Sequence, residues 1–138
     1  MDDAGRYWQV EVRGVEHDGG KPVVILRDET DRLLPIVIGH CEAVAIAQRL
    51  DDDFDPPRPF TQDLALALFK RLAATLTQVR IDDLWEGVYY SKLTLEQEGR
   101  VVEVDCRPSD GIALALAAGA PILVAEKVMA EGGQTPES

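Results

Sequence analysis

A strand, a polar corner and an apolar helix run together without a gap from Val101 to Gly119 (VVEVDCRPSDGIALALAAG), and no other stretch limits the fold of this chain as tightly. Val102, Val104 and Cys106 alternate with Glu103, Asp105 and Arg107, the period of a half-buried strand with its polar side chains on one face. Pro108 stops the strand and confines Arg107 to an extended conformation, and Ser109 is placed to cap the helix that follows. That helix is predicted from Asp110 to Ala118, with Gly119 just beyond its end and Pro121 barring continuation. Asp105, Arg107, Ser109 and Asp110 therefore crowd one strand-to-helix corner, where backbone N–H groups and the positive end of the helix dipole face outward. Two readings are open from spacing alone. Clustered charges mark functional sites, and an Arg between two Asp residues also makes a local ion pair.

The rest of the sequence supplies more sheet and two further helices. Residues 7–15 alternate as a first strand, expected at a sheet edge; the turn at His17–Gly20 leads into a second strand from Pro22, and the turn at Asp28–Arg32 into a third, Leu33–Ile38. After Gly39 the period changes: Ala43, Val44, Ile46, Ala47 and Leu50 recur at helical spacing, with Glu42 near the start and Arg49 near the end to suit the dipole. Asp51–Pro59 is acidic and proline-rich, lacks the glycine that a calcium loop requires, and reads as a solvated loop. Thr61 is expected to cap a second helix, with Asp63 in its first turn and Leu64, Ala65, Leu68, Phe69, Leu72 and Ala73 on more than one face. Strands follow around Val79–Asp82 and over Val88–Glu96. If Leu93 and Leu95 share a face with Val102 and Val104, Lys92 and Thr94 share the other with Glu103 and Asp105. Ile122–Ala125 is a short last strand, and Glu126–Glu131 a final helical turn or two. The expected fold is α+β: a mostly antiparallel mixed sheet of about seven strands with three main helices in one compact domain, residues 1–131, and a frayed tail, Gly132–Ser138.

Composition narrows the function. The chain has 138 residues, 46% of them hydrophobic and 28% charged, as in ordinary soluble domains. No apolar run is long enough for a membrane span and the first residues lack a signal-peptide layout, so the cytoplasm is the expected compartment. Cys41 and Cys106 are expected to be buried free thiols, and no zinc site is expected from two Cys and two His. The formal net charge of −11 opposes polyanions, so chemistry on nucleic acid would need a divalent cation or a local basic patch drawn from Arg58, Lys70, Arg71, Arg80 and Arg107. The second and third helices are apolar nearly all round. In a domain this small, part of that surface is expected to meet another subunit, as a homo-oligomer and most simply a two-fold dimer.

Leu34–Gly39 with the Glu42–Ala47 helix, Arg58–Leu64 (RPFTQDL) and above all Val104–Ala115 (VDCRPSDGIALA) resemble the bifunctional nuclease domain family, over roughly Leu34 to Ala130. The resemblance implies a compact α+β oligomer, commonly dimeric, some of whose members are credited with cleaving both DNA and RNA; here that would be a cation-dependent phosphodiester hydrolysis. This chain departs from the family at Gln62, where members often carry His, and at Gly111, where many have Ala and where glycine loosens the first turn. In a nuclease, Asp63, Asp105 and Asp110 are the expected ligands of Mg²⁺ or Mn²⁺, Arg107 would stabilise the transition state, and Ser109 with the helix N-terminus would grip a phosphate oxygen. His40 is the one histidine near a motif, as a base or as a capping or packed residue. The competing expectation is a non-catalytic oligomeric binding or regulatory module, in which Asp105, Arg107 and Asp110 form a structural corner. A third, anion or nucleotide binding at Ser109, lacks a glycine-rich cradle.

Overall fold

The computed structural model describes residues 5–135. In chain order the elements are β1 (Tyr7–Asp18), β2 (Lys21–Arg27), β3 (Leu33–Val37), α1 (His40–Arg49), α2 (Thr61–Arg71), β4 (Ala74–Trp85), β5 (Val88–Gln97), β6 (Arg100–Cys106), α3 (Pro108–Ala118), β7 (Ile122–Ala125) and α4 (Glu126–Gly132). The seven strands form one sheet in the order β3-β2-β1-β7-β4-β5-β6. Every neighbouring pair is antiparallel except β4 and β7, which run parallel. This is an α+β domain with a mixed sheet and four helices rather than three, the last only seven residues long.

The hairpin register follows the alternation of the sequence, pairing Leu93 with Val104, Leu95 with Val102, Lys92 with Asp105 and Thr94 with Glu103. The position of β1 does not. It lies inside the sheet, between β2 and β7, and the edges are β3 and β6. Alternation reports which faces of a strand are covered but not which strands flank it, and β7 arrives from the far end of the chain. At its edge β6 is covered less than a half-buried strand, and Val104 is 41% exposed. Bulges in β1 and β4 interrupt the ladders and increase local twist.

Leu34 of β3, Leu84 of β4 and Tyr89 of β5 all approach Gly132 at the end of α4, where a Cβ would lie 2.7 Å from the Tyr89 hydroxyl. Beyond it, Leu33 and Gln134 exchange backbone N–H···O bonds of 2.8 and 2.6 Å. Gly132–Gln134 are thus held by pairing and contact where fraying is predicted, because the free edge of β3 offers a partner; residues 136–138 lie outside the described residues. A polar latch ties the β2–β3 turn to the start of α4. Asp28, whose side chain is fully buried, accepts from Thr30 and Arg32, and the Arg32 guanidinium donates to Glu126 at 2.9 and 3.1 Å. The Trp8 indole N–H donates to the same Glu126.

The apolar character of α3 is accounted for within the chain. It packs against β4, β5, α1 and α2, and Ile112, Ala113, Leu114 and Ala115 are buried. Its close approach depends on Gly111, where a Cβ would lie 2.8 Å from Val79 Cγ1 and 3.2 Å from Cys106 Sγ. Glycine therefore serves helix-to-sheet packing here. By contrast α2 has no buried residue, and Leu64, Leu68 and Leu72 are 56%, 53% and 65% exposed. Ala73, at φ +57°, turns the chain directly from α2 into β4, which begins at Ala74, ahead of the expected Val79.

Candidate functional site

The N-terminal ends of the helices are built differently from the simplest sequence expectation. Phe60, not Thr61, occupies the N-cap of α2, and the Asp63 carboxylate accepts the Phe60 N–H at 2.9 Å. Arg107, not Ser109, is the N-cap of α3; Pro108 takes the first helical position, where its missing N–H costs nothing, and Ser109 is buried inside the first turn. At α1 the N-cap is Gly39, and His40 is exposed at the first helical position, neither packed nor capping.

The corner itself is an ion-pair arrangement on Arg107. Its Nε donates to Asp110 Oδ2 at 3.0 Å and its Nη2 to Asp110 Oδ1 at 3.3 Å, while the same Nη2 reaches Glu42 Oε1 at 3.4 Å. Hydrogen bonding to Asp110, then the charges of Asp110 and Glu42, raise the Arg107 pKa further and keep it cationic. The side chain stays 66% exposed. It lines one open cleft and borders another through its partners Glu42 and Asp110. One, of about 420 Å³, is walled by α1 and the start of α2, with Cys41, Glu42, Gln48, Thr61, Gln62 and Asp110 along it. The other, of about 320 Å³, is lined by Ile36–Gly39, Gly87–Tyr89 and Arg107–Ser109.

The other expected site residues are elsewhere. Asp105 faces Lys92 across the β5–β6 ladder and, among the described residues, makes no ion pair or side-chain hydrogen bond. It is not a partner of Arg107. Asp63 bonds Arg49 at 2.6 Å and Phe60 N–H, which outweigh its burial and hold its carboxyl below the usual range. Asp63, Asp105 and Asp110 are therefore not gathered, and the described residues contain no group of three or more His, Cys, Asp or Glu side chains placed to share a metal ion. This arrangement does not fit the three-carboxylate centre expected from the sequence. Nor is there a free basic patch made from all five cations: Arg80 is paired with Glu103 and Asp82, and Arg107 with Asp110 and Glu42. Of the two thiols, Cys41 is exposed rather than buried. Cys106 is half-buried, and burial, against a contact from the Ser91 hydroxyl at 3.3 Å, pushes its pKa up.

Glu42 is the residue that sequence reasoning missed as part of the corner. Its local signal was a helix-start glutamate three residues after Gly39, the spacing of a capping box. Its reach to Arg107, 65 residues later, leaves no mark in either segment.

These features define a small α+β domain organised on an Arg-Pro-Ser-Asp corner at the mouth of two clefts. The chain belongs to the bifunctional nuclease domain family, which it matches over residues 24–137. It is 45% identical over 120 residues to a Mycobacterium tuberculosis (strain H37Rv) protein named only as uncharacterized, covering 86% of this chain and 71% of that one. It is also 27% identical over 114 residues to "Bifunctional nuclease 1" of Oryza sativa subsp. indica, covering 80% of this chain but 34% of the rice protein. No helix among the described residues is long and apolar enough to cross a membrane.

Proposed function

We propose that this domain hydrolyses phosphodiester bonds of DNA and RNA at the Arg107 corner. The observation that carries the reading is the position of Arg107, two-thirds exposed at the N-terminus of α3, lining one open cleft and bordering another. The guanidinium uses Nε and Nη2 on its carboxylates, and among the described residues no acceptor is placed on its Nη1, which can donate to a phosphate oxygen with the clamp still in place. The first free amides of α3 add donors beside it, where the buried Ser109 forms part of the wall of the second cleft. Arg107 would then stabilise the charge that develops on phosphorus. Asp110 holds the guanidinium in place. No step is assigned to Mg²⁺ or Mn²⁺, because the carboxylates expected to hold one are not gathered within a single chain. The family and the printed name of the rice relative support nucleic acid as the substrate. The exposed leucines of α2 support a second copy of the chain as partner.

The test is cleavage of single- and double-stranded DNA and RNA by the pure protein, with EDTA, Mg²⁺ and Mn²⁺ as separate conditions. Arg107→Ala is expected to lower the rate on the order of a hundredfold while the circular dichroism spectrum is kept. Cleavage that this change leaves unaffected would remove the assignment. A second reading, a non-catalytic binding module, is favoured by the engagement of Arg107 with Asp110 and Glu42. In that case the pure parent protein cleaves no substrate under any of the three conditions.

A further inference from the structure

We propose that Glu42 is a positioning residue, folded back over a side-chain-free Gly39 so that its carboxylate holds the Arg107 guanidinium at the junction of the two clefts for a phosphate group of a nucleic acid. The proposal rests on the hydrolase reading only for its activity arm.

Three observations meet here. Gly39 is the N-cap of α1, and Glu42 stands three positions on, where a glutamate folds back toward the cap. A Cβ built on Gly39 would lie 2.0 Å from Glu42 Oε2 and 3.0 Å from its Cδ, so the carboxylate occupies the space that any other residue would fill. Gly39 has φ −78° and ψ 162°, an ordinary extended conformation. A side chain here would therefore push the flexible end of Glu42 aside, and glycine serves by leaving it room, not by backbone freedom. The other oxygen, Oε1, faces Arg107 Nη2, which also touches Asp110 Oδ1. Asp110 alone, three residues away on the same helix, fixes only the near side of the guanidinium. Glu42 comes from a different helix and adds the second anchor, at the seam where Gly39 lines one cleft and Glu42 the other.

An ion pair as exposed as Arg107 with Glu42 adds little to stability, so a purely structural role explains the arrangement poorly. Its effect is on where a flexible side chain spends its time. A pre-placed guanidinium loses less freedom when a phosphate arrives, which appears as tighter binding.

The test compares the parent with Glu42→Ala, Glu42→Gln and Gly39→Ala. The first readout is the ¹⁵N–¹H signals of the Arg107 guanidinium by NMR, with a titration of inorganic phosphate and of a 5′-phosphorylated dinucleotide. Hindered rotation of the guanidinium is expected in the parent. Faster rotation and phosphate binding weakened roughly fivefold to tenfold are expected in Glu42→Ala. Gly39→Ala should reproduce that effect although Glu42 is still present, and Glu42→Gln, whose amide oxygen still accepts, should recover part of it. The second readout is cleavage of a short oligonucleotide, where KM is expected to rise about tenfold with kcat changed less. Guanidinium signals unchanged in both Glu42→Ala and Gly39→Ala, in folded proteins, would overturn the proposal. Arg107 hindered in the parent and loosened in the variants, with a parent that cleaves nothing, would leave the clamp standing and remove the hydrolase reading.

Discussion

Gly111 and Asp28 show how single residues carry this fold. Alanine in a helix is favoured over glycine by about 1 kcal/mol. At position 111, however, the added methyl meets Val79, which is completely buried, at 2.8 Å. Overpacking of that kind costs roughly 1–3 kcal/mol, so a net loss of about 1 kcal/mol is expected in Gly111→Ala by urea denaturation. Combined with Val79→Ala the two losses should be less than additive, since the methyl then enters the space vacated. Asp28 predicts a pH dependence. Burial pushes its carboxyl up, but the Thr30 hydroxyl, the Arg32 and Thr30 amides and the Arg32 guanidinium outweigh that and hold it below its ordinary 3.8. Hydrogen bonds from Arg32, against burial and with help from Trp8, likewise hold Glu126 below its ordinary 4.5. Both groups are depressed in the folded state, so their contribution is fully present above about pH 5 and is lost as the pH falls through the folded values. The melting temperature should fall between about pH 5 and pH 3 more steeply in the parent than in Asp28→Asn. At pH 7 that variant should be less stable by about 3 kcal/mol, because Arg32 loses its buried partner. Equal slopes would show that the latch is not what titrates. The candidate site was legible only in part at this scale. Arg107 and Asp110 sit close enough in sequence to announce their contact, whereas Glu42 and Gly39 read as an ordinary helix start.

Among the elements, α2 is the one left incomplete by a single chain. Leu64, Leu68 and Leu72 recur at helical spacing on its outer side and are each more than half exposed. Burying a leucine fully is worth about 1.5–3 kcal/mol, a strong incentive for this stripe to be covered by another copy. Light scattering at micromolar concentration should give a dimer, and Leu68→Glu a folded monomer. A monomeric parent would remove the expectation. The sequence led here with both apolar helices, and only one retains the surface: α3 is apolar because it is central, which periodicity cannot distinguish from being unpartnered. The strand-to-helix stretch and the β5–β6 register were legible because local alternation and a short turn decide them. Helix caps were less so, since Ser109 and Thr61 suit capping by chemistry while Pro108 and Asp63 moved the actual caps one or two residues earlier.

The whole molecule is closed by its C-terminal end. Removing residues 132–138 takes away the Leu33–Gln134 bonds and the contacts of Gly132 with Leu34, Leu84 and Tyr89. A truncation after Glu131 should therefore melt several degrees lower than the parent, on the scale of about 2–4 °C per kcal/mol for a domain near this size. An unchanged melting temperature would show that these contacts are dispensable. The place of β7 has a consequence for how the protein is made. The last strand in sequence is the middle strand of the sheet, joining the β1–β3 meander to the β4–β6 meander. During synthesis both meanders leave the ribosome as separate sheets, each with an unsatisfied edge, and remain so until Ile122–Ala125 clears the exit tunnel. A nascent chain stalled before β7 should bind chaperones and be cut readily by proteases. Folding becomes all-or-none only once β7 is available, so a stop before Ile122 is expected to yield aggregation-prone halves and not a slightly shortened domain.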